Sequence, residues 1–141
     1  MIADTIVDTN ILVYMYDIAA SPGKRAKALD VVKALVANKQ AVLPAQVLGE
    51  FFVSVTQRIA SPLSPDEALV RIDHYLRCVK VVPITAVVAR EAARGVIEHQ
   101  LSYWDAQIWA VARLNQISLI ITEDMPEQEY IEGVRYSNPF C

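Results

Sequence analysis

Four acids in this chain stand where a carboxylate can do chemistry. Asp8 follows the β-branched pair Ile6-Val7 and precedes Thr9 and Asn10, residues that suit a turn into an apolar helical segment. That order puts Asp8 at the C-terminal end of a strand, and in open parallel α/β sheets ligands bind in the crevice beyond those ends. Asp124 follows the buried run Leu119-Ile120-Ile121 and the pair Thr122-Glu123 in the same manner. Glu50 falls about one turn into a helix, between Leu48 and Phe51 on an otherwise apolar stretch, so it is either exposed or employed. Asp105 lies in the first turn of a later helix, where a plain capping role is worth about 0.3–1 kcal/mol. Singly, each has a structural explanation. Together, carboxylates gathered at one end of a sheet repel one another and call for a cation.

Ligands that are all oxygen, with no His or Cys among them, suit Mg2+ or Mn2+, which keep several waters and share substrate phosphates. The chemistry this supports is phosphodiester hydrolysis, which needs no nucleophile from the protein. His74 and His99 have no partner at ligand spacing and read as helix-surface residues; Cys78 and Cys141 are too few to staple the chain and read as reduced thiols. A net charge of −3 excludes a broad basic footprint. It leaves room for a nuclease whose acids are neutralised by metal. Lys24, Arg25 and Lys27, and likewise Arg71, Arg77 and Lys80, read as ordinary solvated helix charges that could also hold a backbone.

The elements that must position these acids follow from periodicity and punctuation. Ser21-Pro22 starts a helix with Ala26, Leu29, Val32 and Leu35 at helical spacing, ending at Asn38. Ala41–Leu43 is a buried strand closed by Pro44, leading into a helix over 45–59 with Val47, Leu48, Phe51, Val55 and Ile59 as its stripe. Ser64-Pro65-Asp66-Glu67 is a capping box opening a helix to Cys78, with Ala68, Ile72, Tyr75 and Leu76 facing inward. Val79–Val82 is a strand, Thr85 caps a helix to His99, and Ser102 caps another to Asn115. After Leu119–Ile121, a loop from Pro126 to Gly133 precedes a short strand at Val134–Tyr136. Trp104 and Trp109 flank Asp105 and read as core or dimer interface, with base stacking as the rival.

Short continuous apolar strands alternating with long helices predict a three-layer α/β/α sandwich around a four- or five-stranded parallel sheet. At 141 residues one domain over 1–141 is expected. Hydrophobic residues make up 54% of the chain, enough to leave apolar surface for a partner. No run approaches a membrane span, and Asp4 and Asp8 do not suit a signal peptide, so a cytoplasmic location is expected.

The chain resembles the PIN-domain ribonucleases, and within them the VapC toxins of toxin–antitoxin modules. Val7-Asp8-Thr9-Asn10-Ile11-Leu12-Val13-Tyr14, Glu50, Ser102-Tyr103-Trp104-Asp105-Ala106 and Ile121-Thr122-Glu123-Asp124-Met125 carry the resemblance. Gly133 to Asn138-Pro139-Phe140 also looks like one VapC branch, whereas Pro126–Glu129 lacks the glycine usual near that point. The resemblance implies that Asp8, Glu50, Asp105 and Asp124 form the catalytic metal site for Mg2+ or Mn2+. It implies that Thr9, Asn10 and Thr122 orient those carboxylates. It implies RNA as substrate, a cognate antitoxin as partner and a homodimer. An RNA-maturation nuclease and a silent RNA- or protein-binding PIN module are the alternatives; the presence of all four acids speaks against the silent one. A receiver site fits poorly, because Asp8 stands singly and the later strands end in Val82-Pro83 and Thr122-Glu123, and an aspartyl-phosphatase fits poorly because Asn10 stands where its second Asp would be needed.

Overall fold

The computed structural model describes residues 3–141. Its elements in order are β1 (Thr5–Val7), α1 (Thr9–Tyr14), α2 (Pro22–Ala37), β2 (Ala41–Pro44), α3 (Ala45–Gln57), α4 (Pro65–Cys78), β3 (Lys80–Val82), α5 (Ala86–His99), α6 (Tyr103–Leu114), β4 (Leu119–Ile121), β5 (Tyr130–Ile131) and β6 (Val134–Ser137). Helix starts follow local chemistry. Ser21, Ser64, Thr85 and Ser102 each accept a backbone N–H three residues on, and Ser64 and Glu67 complete the capping box. Gln100 closes α5 in the left-handed conformation.

The sheet runs β3-β2-β1-β4-β6-β5 and is parallel throughout its first five strands. β1 pairs with β2 on one side and β4 on the other, so the strand order reverses beside it. That is where an open α/β sheet leaves a crevice. Helices flank the sheet, as the alternation of strands and helices predicts, and the core is built on Ile6, Val42, Phe51, Trp109 and Ile120, all fully buried.

The sheet has six strands rather than four or five, because a two-residue β5 pairs antiparallel with β6 inside the expected loop. Glu132 (φ 47°) and Gly133 (φ 86°) make the tight hairpin turn. Left-handed backbone at both central positions favours Asn or Gly, so a Glu at the first hides the hairpin from a sequence reading. Three inward assignments also shift: Ala26 is exposed, Leu29 is 43% and Leu76 55% exposed, while Ala28 and Val32 on α2 and Ala68 and Tyr75 on α4 face the core. Trp109 is in the core, whereas Trp104 is 61% exposed on this chain. Among the described residues no helix is long and apolar enough to cross a membrane.

α5 and α6 pack against each other through Gly95, and an ion network locks them to the β5–β6 turn. Arg94 pairs with Glu91, Glu98 and Glu132, Arg113 with Glu91 and Glu132, and His99 with Glu132 at 2.6 Å. A Cβ on Gly95 would lie 2.9 Å from the Trp109 ring, which is fully buried and donates its indole N–H to Ile131 O at 3.2 Å. The ring has nowhere to go. Gly95→Ala therefore lowers the unfolding temperature, overpacking of roughly 1–3 kcal/mol exceeding the helix-propensity gain of about 1 kcal/mol. Gly49→Ala on α3 meets nothing within 4 Å and gains that propensity unopposed. Thermal unfolding of the two variants should move in opposite directions.

Candidate active site

β1 is too short to carry a site on its own face, so its chemistry lies at its end. The Asp8 backbone N–H donates to Ile121 O at 2.9 Å, continuing the β1–β4 ladder one residue beyond the strands. Asp8 then caps α1, one carboxylate oxygen accepting the Thr9 N–H at 2.8 Å. The other accepts the Thr122 hydroxyl at 2.8 Å. Thr122 is itself held, its oxygen accepting from the Asn10 side-chain amide at 3.2 Å and the Asp124 backbone N–H at 3.1 Å.

Asn10 and Thr9 extend the same scaffold to the other acids. The Asn10 amide also donates to the Asp124 carboxylate at 3.3 Å, and its carbonyl oxygen accepts the Glu123 N–H at 3.2 Å. The Thr9 hydroxyl donates to Glu50 at 2.8 Å, tying α1 to α3. All three residues thus touch a carboxylate or the backbone beside one. Asp8, Glu50, Asp105 and Asp124 line one cavity of about 670 Å³, with Thr9 and Asn10 on its wall, while Thr122 lines a smaller cavity adjoining it.

Electrostatics follow from this crowding. Burial pushes the Asp8 carboxyl up to about 6; hydrogen bonds from Thr122 and Thr9 oppose the rise, and the charges of Glu50 and Asp105 add to it. Glu123 is treated in the opposite way. Its carboxylate takes the Lys24 ammonium and the Tyr14 hydroxyl, each at 2.6 Å, and Lys24 foremost holds it below the usual carboxylate range. A fifth charge is thereby drawn off the cluster.

Several residues at the site escape a sequence reading. Gln46 and Arg58 line the acid cavity. Their signal was available: with Val47, Phe51 and Val55 buried on α3, residues 46, 50, 54 and 58 share an adjoining face at intervals of four. Gln107 donates to Gln46 at 2.6 Å, Tyr103 donates to Gln107 at 2.9 Å, and Gln46 donates to Trp104 O at 3.2 Å. This chain of bonds sets α6, which carries Asp105, against α3, which carries Glu50.

The donor set is hard and anionic, as a divalent cation that prefers oxygen requires. Among the described residues no three His, Cys, Asp or Glu side chains are gathered tightly enough to hold an ion by themselves.

Comparison with known proteins gives the same frame. No curated protein matches the chain. Among solved structures it is similar to a toxin–antitoxin complex from Klebsiella pneumoniae, with a TM-score of 0.71 at 20% identity over 96% of this chain and 98% of that one. It is similar to VapC20 of Mycobacterium tuberculosis, a sarcin-ricin loop cleaving toxin, with a TM-score of 0.64 at 22% identity over 83% of this chain and 87% of that one. DNA-bound VapBC from Salmonella typhimurium gives a TM-score of 0.69 at 14% identity over 99% and 100%. At such identities these likenesses concern the fold. The family is settled by a model of the PIN domain that matches residues 5–125, a span that begins in β1 and ends just past Asp124, so the chain belongs to the PIN domain family.

Proposed function

We propose that this chain is a Mg2+- or Mn2+-dependent endoribonuclease and the toxin of a VapBC-type module. The observation that carries the reading is the convergence of four carboxylates from four separate segments on one cavity, three of them oriented by hydrogen bonds. An acid-lined cavity repels a nucleic acid unless a cation is bound there. The sarcin-ricin loop cleavage of VapC20 supports RNA as substrate, and the toxin–antitoxin complexes among the similar structures support an antitoxin as partner. A homodimer accords with exposed apolar side chains such as Ile97 at 75% and Val87 at 63%.

Asp8, Glu50, Asp105 and Asp124 would hold the metal. When bound, it supplies Lewis acidity that lowers the pKa of a water and offsets charge on phosphate oxygens. The protein's part is orientation. Thr122 and the Thr9 N–H fix both oxygens of Asp8, Thr9 holds Glu50 and Asn10 holds Asp124, so little reorganisation is needed as substrate arrives. Burial foremost, and then the charges of Glu50 and Asp105, raise the proton affinity of Asp8 when no cation is present, and a bound cation would oppose both.

Purified protein with Mg2+ or Mn2+ should cut a pool of structured RNAs into discrete fragments that vanish with EDTA and in Asp8→Asn; intact RNA from a folded, metal-binding protein would overturn the nuclease assignment. Mn2+ should raise the unfolding temperature of the wild type, by the equivalent of about 2.7 kcal/mol at a hundred times its Kd. Asp8→Asn should lose most of that rise. The pH dependence has a defined sign. Asp8 binds its proton more tightly in the folded than in the unfolded chain, so it favours folding at low pH and loses that contribution as pH rises from about 4 to about 6. Without metal, wild type should therefore gain on Asp8→Asn, on the order of 2 kcal/mol, as pH falls from neutrality to about 4. Parallel stability curves for the two proteins would place Asp8 outside this electrostatic cluster.

A further inference from the structure

Asp105 differs from the other three acids. Asp8, Glu50 and Asp124 each accept at least one hydrogen bond from a Thr, an Asn or a backbone N–H. Among the described residues nothing donates to the Asp105 carboxylate; its one capping bond is made by its backbone N–H, to Ser102. Tyr136 is its converse. This residue is 8% exposed, on β6 opposite Ile120, and its hydroxyl is buried without a partner among the described residues. Buried hydroxyls are costly to leave unpaired, and nearly all find a protein group or a water.

The two lie on one small cavity. It measures about 20 Å³, is lined by Tyr136, Asp105, Asp8, Asp124 and Thr122 among others, and shares the three acids with the larger acid-lined cavity. About 10–15 Å³ suffices for one water, provided that two or more polar groups hold it. Both conditions are met here. Of the three carboxylates that line the cavity, Asp8 is engaged at both oxygens and Asp124 at one, whereas among the described residues Asp105 accepts no hydrogen bond at either.

We propose that Tyr136 is the positioning residue for Asp105, its phenol donating to a single ordered water in this cavity that in turn donates to the Asp105 carboxylate. The proposal rests on the reading of Asp105 as a metal-site acid. It completes a pattern in which every acid of the cluster has a dedicated donor. Thr9 serves Glu50, Asn10 serves Asp124, Thr122 serves Asp8, and Tyr136 serves Asp105 through the water. Groups that orient metal ligands in this way change metal affinity by 10- to 100-fold when removed.

Tyr136→Phe removes the hydroxyl and keeps the ring, so the fold is retained. It should raise about tenfold the Mn2+ concentration giving half the rise in unfolding temperature, and lower kcat on RNA while KM stays within about twofold. A purely structural Tyr136 would shift the baseline unfolding temperature and leave the Mn2+ midpoint in place. The decisive measurement is a double-variant cycle with Asp105→Asn, followed by thermal unfolding without metal and by the Mn2+ midpoint. Non-additive effects on metal-free stability support the link, and additive ones overturn it. If the two variants couple without metal but Asp105→Asn leaves the Mn2+ midpoint unchanged, the metal-site reading of Asp105 fails while its link to Tyr136 stands.

Discussion

The fold depends on how like charges are held together at the end of β1. Carboxylates crowded at the mouth of a crevice repel, and burial penalises the ionised form of Asp8 further. Short donor side chains offset that cost. Thr122 is the hinge of the arrangement, because its single hydroxyl donates to Asp8 while accepting from Asn10 and from the Asp124 backbone. One buried oxygen thereby couples the ends of β1 and β4 to α1. Losing it would leave Asp8 short of a donor and Asn10 short of an acceptor in the same step, which is why such networks are worth more than their members taken singly.

Placing Asp105 is a separate problem, since α6 reaches the site by its N-terminal turn and not from a strand. The solution is rigidity in the layer behind it. Gly95 lets α5 lie directly on the Trp109 ring, and the indole is pinned to Ile131 O. Glu91, Arg94, Arg113 and Glu132 then tie both helices to the β5–β6 hairpin, with the Arg94 guanidinium 5.4 Å from the centre of the Trp109 ring. Much of this network is solvated and adds little to stability pair by pair. Its value is geometric: it joins the hairpin that carries Tyr136 to the helix that carries Asp105.

Glu123 shows how sequence neighbours can take opposite roles. It lies between Thr122 and Asp124, and a fifth carboxylate in the crevice would raise the electrostatic cost again. Lys24 and Tyr14 turn it outward, and Phe140 and Tyr14 form the aromatic floor beneath the ammonium. The first turn of α2 and the C-terminal segment thus serve the site without entering it.

The sequence by itself determined the parallel core and the acids. Apolar runs of three or four residues bounded by turn residues point to buried strands, caps such as Ser64 with Glu67 act within four residues, and Asp8 and Asp124 stand within three residues of the strands that precede them. These are local facts of the chain. Tertiary structure decided what depends on elements far apart in sequence: that β1 lies between β2 and β4, that Thr9 serves Glu50 rather than its own helix, and that Gln46 meets Gln107. It also decided the β5–β6 hairpin, whose Glu132 carries none of the usual signs of a left-handed turn and is held by Arg94, Arg113 and His99 from other helices. Which face of α2 and α4 turns inward was likewise settled by packing, since Ala28 or Leu29, and Tyr75 or Leu76, fit the helical period almost equally well. Periodicity names a stripe to within about one residue, or 100° of rotation, and only the neighbouring layer selects between the two.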